Sequence, residues 1–171
     1  QLSSPDQYSA TVLFDLPQPG LTTNYRISTH FDMNKLSGAT KDSCAVITTH
    51  ITDAGWYLTQ VCRNGSWEID KVTSDQQNNL KQTALKSGSL GRSVSAVTMT
   101  MTSDNATYAL AIDGKQVGSA KDTSLDQTGG VALTTVSPGP GTVIMSDFTY
   151  TALPKAAGSR SSVGHVAQIA H

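Results

Sequence analysis

Residues 44–73, CAVITTHITDAGWYLTQVCRNGSWEIDKVT, read as three consecutive antiparallel strands. Ala45, Ile47 and Thr49 alternate with their neighbours, then Tyr57, Thr59 and Val61, then Trp67 and Ile69. Turn chemistry separates the runs at Asp53–Gly55 and at Asn64–Gly65. Apolar alternation with a period of two, broken by Gly and Asn, is the signature of strands joined as hairpins.

The register follows from the second turn. A three-residue loop Arg63-Asn64-Gly65, with Gly65 in the left-handed conformation, sets Val61 opposite Trp67 and Thr59 opposite Ile69. A two-residue Asn-Gly loop would set Val61 opposite Glu68 and mix the faces, because a slip of one residue exchanges core and solvent sides. Only the longer loop gathers Tyr57, Val61, Trp67 and Ile69 on one side and sends Glu68 and Asp70 to the other. The hairpin around Asp53 then pairs Ala45 with Val61, Ile47 with Thr59 and Cys44 with Cys62. Directly opposed residues have Cβ atoms roughly 4.5–5.5 Å apart, near the separation a disulfide needs. A Cys44–Cys62 disulfide is therefore expected, and with it an oxidising, extracellular or cell-surface location. Two buried thiols in a cytosolic protein are the alternative.

The rest of the chain has the same texture. Strands are expected at 8–14, 24–33, 94–103, 107–112, 130–136 and 142–151, with short ones near Leu80–Leu85 and Val117. Tyr25, Ile27, Phe31 and Met33 share one face, as do Val97, Met99 and Met101, and Tyr108, Leu110 and Ile112. Asp104-Asn105 and Asp113-Gly114 supply hairpin turns. About ten or more short, regularly spaced strands imply an all-β, two-sheet antiparallel sandwich or jelly roll. The 171 residues suffice for one domain with a substantial core. We expect the sandwich to span 1–153. Residues 154–171, PKAAGSRSSVGHVAQIAH, form an extended C-terminal tail or linker, and 155–171 are a candidate contact between copies of the chain. Gln1 reads as a processed start, so the full-length protein could carry a signal or anchor that this sequence does not include.

Charged residues make up 15% of the chain and its net charge is −1. That balance excludes a basic field for nucleic acid. No apolar run approaches the roughly 20 residues of a membrane span.

Three segments resemble concanavalin A-like (laminin-G-like) jelly rolls of bacterial extracytoplasmic proteins. YLTQVCRNGSWEIDKV (57–72) is similar to that family's central meander, TYALAIDGKQVGSAKD (107–122) to its Asn-Gly hairpin, and GGVALTTVSPGPGTVIMSDFTYTAL (129–153) to its closing strand pair. The resemblance implies two stacked antiparallel sheets and parts of surface proteins, sensor kinases or carbohydrate-active enzymes. It implies no particular activity.

Glu68-Ile69-Asp70 resembles the Glu-x-Asp strand of family 16 glycoside hydrolases. Retaining hydrolysis needs two carboxyl groups about 5–5.5 Å apart. The positions that should hold the general acid are Val72 and Thr73, and Glu68 is the chain's one glutamate. A hydrolase is therefore not expected. No Gly-x-Ser-x-Gly elbow is present. His30, His50, His165 and His171 lack metal-ligand spacing and read as surface side chains. No metal site is expected. A rim Ca²⁺, which laminin-G-like domains often carry, is a minor expectation, with Asp32, Asp53, Asp104 and Asp147 near strand ends. Asn64-Gly65-Ser66 and Asn105-Ala106-Thr107 match the N-glycosylation pattern, but their turn roles account for them.

Two function classes remain. One sheet face should bear Thr48, His50, Trp56, Leu58, Gln60, Glu68 and Asp70. There an aromatic ring stacks on a sugar while amides and carboxylates bond its hydroxyls. Trp56, His50, Gln60, Glu68 and Asp70 are the candidate ligand-binding residues of a non-enzymatic recognition or adhesion module. The alternative is a structural subunit or stalk of a cell-surface assembly, contacting other proteins through the tail.

Overall fold

The computed structural model describes residues 8–14, 22–35, 40–75, 79–125, 127–137 and 144–154. Eleven strands follow one another: β1 (Tyr8–Phe14), β2 (Tyr25–Asp32), β3 (Cys44–Thr52), β4 (Gly55–Cys62), β5 (Ser66–Ser74), β6 (Leu80–Ser89), β7 (Ala96–Asp104), β8 (Thr107–Ile112), β9 (Lys115–Lys121), β10 (Gly130–Ser137) and β11 (Ile144–Ala152). One short 3₁₀ turn, Met33–Lys35, follows β2, and the described residues contain no α-helix. The strands build two antiparallel sheets, one of six in the order β1-β10-β3-β4-β5-β6 and one of five in the order β11-β2-β7-β8-β9. This is the two-sheet sandwich of a jelly roll. The tail beyond Pro154 lies outside the described residues, and so do the contacts between copies expected of it.

The central meander has the expected register. Val61 faces Trp67 and Thr59 faces Ile69, while Cys44 faces Cys62, Ala45 faces Val61 and Ile47 faces Thr59. Gly65 carries the loop with φ +84°. A Cβ there would lie 2.0 Å from the Arg92 carbonyl oxygen, so glycine is required both by conformation and by space. Asn64 completes the turn, its Oδ1 accepting the Ser66 N–H at 2.8 Å. The Cys44–Cys62 disulfide joins the opposed strands, with Cα atoms 3.9 Å apart.

The core lies between the sheets. Ile27, Phe31, Ile47, Tyr57, Val61, Ile69, Met99, Met101, Tyr108 and Leu110 are buried there, the inward members of each alternating run. The indole of Trp67 reaches across to the second sheet: a Cβ on Gly88 (β6) or on Gly118 (β9) would fall 2.4 and 2.3 Å from its ring carbons. Both glycines leave space that the indole fills.

A polar knot ties the loop after β9 to the first sheet. Asp122 receives the Lys71 ammonium at 2.8 Å and the Tyr57 hydroxyl at 2.7 Å. Ser124 donates to the same carboxylate, and the Leu125 N–H donates to the Tyr57 oxygen at 3.1 Å. Partial burial pushes the Asp122 carboxyl up, but these hydrogen bonds outweigh it and hold the group well below the usual carboxylate range.

Two strand expectations need extending. β6 is not a short strand near Leu80–Leu85 but runs ten residues, Leu80–Ser89, paired along β5 from Ser74 to Ser66. It is an edge strand with mostly exposed side chains, so backbone pairing alone specifies it and no apolar alternation marks its end. The strand near Val117 likewise extends over Lys115–Lys121.

Candidate functional site

Because β3, β4 and β5 lie side by side, their outward residues form a lattice. Trp56 pairs with Val72, Leu58 with Asp70 and Gln60 with Glu68 across β4 and β5. Val46 pairs with Gln60 and Thr48 with Leu58 across β3 and β4. On the far side Gln82 stands opposite Val72 and Ala84 opposite Asp70. The apolar members, Val46, Leu58 and Val72, form a second cluster with the disulfide, and half-buried Trp56 packs against it.

Polar contacts hold the rest of the face in place. The Gln60 side-chain amide donates to Glu68 Oε2 at 2.8 Å, and both residues remain partly exposed. The Gln82 amide donates to Asp70 Oδ2 at 2.8 Å. The face thus offers one aromatic ring and one fixed amide–carboxylate pair, four residues apart along β4, or about 13 Å of strand.

Two candidates, His50 and Asp70, are buried where exposure was expected. His50 should have followed Thr48 on the outer face. Instead the β3–β4 ladder shifts between Thr49 and Thr52, and His50 adopts φ +54°. The bulge turns Thr49 and His50 both inward, so His50 is wholly buried in the core and cannot meet a ligand. Its Nδ1 shares a hydrogen bond with the Tyr25 hydroxyl at 2.8 Å, and its ring meets Tyr57 and Tyr108 edge-on. It is not a surface side chain. His30 is half-buried and bonds Thr98 Oγ1 at 3.2 Å. His165 and His171 lie outside the described residues.

Asp70 is on the expected face but fully buried, so a ligand reaches it only through its neighbours. Burial pushes its carboxyl up to about 6, opposed by the Gln82 hydrogen bond and reinforced by the charge of Glu68 on the same strand. Oδ1 has no hydrogen-bond partner. A buried carboxyl with one unmatched oxygen favours the protonated form. Gln82 contributes this contact from β6, and sequence reasoning missed it because the β5–β6 ladder shifts between Ile69 and Asp70.

Val72, the next outward residue after Asp70, is wholly buried and apolar, so no third acid extends the Glu-x-Asp row. Among the described residues no group of three or more His, Cys, Asp or Glu is placed to hold a metal ion. Asp32 accepts from the Asn34 N–H, Asp104 accepts from Asn105, and Asp53 and Asp147 are exposed. No helix among the described residues is long and apolar enough to cross a membrane.

No family model and no curated protein matches the sequence. Solved structures do share the fold. A carbohydrate-binding module, CBM66, from Bacillus subtilis superposes with a TM-score of 0.60 at 9% identity, over 84% of this chain and 82% of that one. Sheep galectin-11 superposes with a TM-score of 0.54 at 13% identity, over 86% of this chain and 99% of that one. A fructosyltransferase from A. japonicus gives 0.55 at 13% identity, where the match covers 90% of this chain but 26% of the other. At such identities the likeness shows the fold alone, a jelly-roll β-sandwich consistent with the concanavalin A-like resemblance and found here in a carbohydrate-binding module, a galectin and part of an enzyme.

Proposed function

We propose that the protein is a non-enzymatic carbohydrate-recognition module that binds a neutral glycan on the outer face of β3, β4 and β5. The observation that carries this reading is the Trp56 ring on the same face as the hydrogen-bonded Gln60–Glu68 pair. An indole covers the apolar face of a sugar ring, and a preset amide–carboxylate pair bonds its hydroxyls without first losing side-chain freedom. Asp70, two residues further along β5 and held by Gln82, flanks this pair. Sandwich relatives named as a carbohydrate-binding module and a galectin support the reading. The disulfide supports an extracellular or cell-surface location.

The test is a glycan array followed by calorimetry on the best oligosaccharide, with wild type, Trp56→Ala and Glu68→Gln. Each variant should lose about tenfold or more in affinity, equivalent to about 1.4 kcal/mol. A folded Trp56→Ala protein with an unchanged array signal would remove the site.

A further inference from the structure

We infer that the margin of the sandwich formed by β6 and β9 is a second binding surface, for a carboxylated polysaccharide. This surface is separate from the outer face of β3–β5 and does not depend on it.

β6 ends the six-stranded sheet and β9 ends the five-stranded one, and the two edges lie against each other. Trp67 wedges between Gly88 and Gly118, and Arg92 bonds Asp113 at 2.8 Å across the loops that flank them. Gly88–Leu90 and Lys115–Val117 line one cavity. Gly88 therefore lies across from Gly118, and Leu90 from the start of β9, so the two edges run antiparallel. Lys86 and Lys121 fall on one side of the Trp67 wedge and Lys115 on the other, with Lys81 further along.

The charge distribution is one-sided. β6 (LKQTALKSGS) and β9 (KQVGSAK) hold four lysines and no acidic residue. Lys81, Lys86, Lys115 and Lys121 are all exposed. The acids that flank the two edges are engaged: Asp113, on the cavity wall, by Arg92, Asp122 by Lys71, and Glu68, opposite Ser87 on β6, by the Gln60 amide. In a chain of net charge −1 this margin is a local concentration of positive charge against an acidic remainder. Clustered like charge raises the local concentration of an oppositely charged partner.

The rest of the margin indicates which polyanion. Along the same edges stand Thr83, Ser89, Gln116 and Ser119, whose side chains bond hydroxyl groups. The two strands contain no aromatic residue on which nucleic-acid bases would stack. A cavity of about 620 Å³ opens between the strands, lined by Trp67 and Leu90, by Lys115, Gln116 and Ser89, and by the paired Arg92 and Asp113. That volume is within the range of ligand pockets. From Lys81 to Ser89 the strand spans about 26 Å, enough to track several sugar units. A chain of sugars bearing carboxylates satisfies the lysines, the hydroxyl-bonding side chains and the cavity together.

The experiment compares two double variants that remove the same charge at different places. Lys86→Gln/Lys115→Gln alters the margin, and Arg26→Gln/Lys41→Gln removes two exposed cations away from it. Binding to polygalacturonate is measured by affinity electrophoresis and calorimetry at low ionic strength, with neutral dextran and duplex DNA as comparisons. Wild type should bind polygalacturonate and weaken as salt rises. The margin variant should lose at least fivefold in affinity, and the other should match wild type. No binding by wild type, equal losses in the two variants, or equal affinity for DNA would each overturn the inference. Equal losses would leave the lysines as ordinary edge protection against strand pairing. Trp56→Ala should retain this binding, which separates the result from the glycan site on the outer face.

Discussion

The Tyr25 hydroxyl and His50 Nδ1 meet at 2.8 Å, 25 positions apart in sequence and on opposite sheets. The two rings stack with centroids 5.3 Å apart, while Tyr57 and Tyr108 stack at 4.0 Å beside them. The bulge at His50 thus delivers a polar ring into an aromatic cluster drawn from β2, β3, β4 and β8. Burial raises the Tyr25 hydroxyl above its ordinary pKa, so it stays protonated and can donate.

His50→Ala removes a buried ring and the partner of a buried hydroxyl. The expected loss is about 3 kcal/mol, the sum of a cavity and an unmatched polar group. Urea unfolding at pH 7.5 measures it, and a loss under 1 kcal/mol would mean the cluster relaxes without cost.

Replacing both cysteines by serine opens a loop closed over a separation of 18 residues. Loop-closure entropy puts the loss at about 3 kcal/mol. The midpoint of thermal unfolding should fall to the same value for the double variant and for the reduced wild type.

Asp70 and Asp122 should give opposite pH signatures. The folded pKa of Asp70, about 6, lies above its ordinary value of 3.8. The folded state therefore binds a proton more tightly than the unfolded state between about pH 4 and 6, and stability from this group is lost as pH rises through that window. Asp70→Asn should stabilise the protein at pH 7.5, on the order of 1–2 kcal/mol, and flatten the pH dependence between 4 and 6.

Asp122 has a depressed pKa, so its contribution is present above the ordinary carboxylate value and is lost as pH falls toward the folded value. Asp122→Asn should cost on the order of 2 kcal/mol at pH 7, and the gap to wild type should close below about pH 4. Chemical denaturation across pH 2–8 follows both variants.

Gly118→Ala places a methyl group 2.3 Å from the Trp67 ring. The buried indole must shift, at a cost of roughly 1–3 kcal/mol. In a Trp67→Leu background the same substitution should cost less. Additive effects in the double-mutant cycle would exclude direct contact as the cause.

Much of this architecture could be read one residue at a time. The Val61–Trp67 and Cys44–Cys62 pairings follow from alternation and the Asn64-Gly65 turn, both local features. The outward placement of Trp56, Gln60 and Glu68 follows from the same alternation. The length of β6 did not, because an exposed edge strand needs only backbone pairing.

Period-two alternation and turn chemistry are properties of neighbouring residues, so the chain alone specified two faces, their strands and the disulfide. Folding in three dimensions settled what local pattern does not encode. A single bulge turned His50 inward, the packing of side chains closed over Asp70, and two edges distant in sequence brought the lysines of β6 and β9 onto one margin. Each of these depends on how one sheet lies against its neighbours. Non-local packing of that kind leaves no periodic trace in the order of residues.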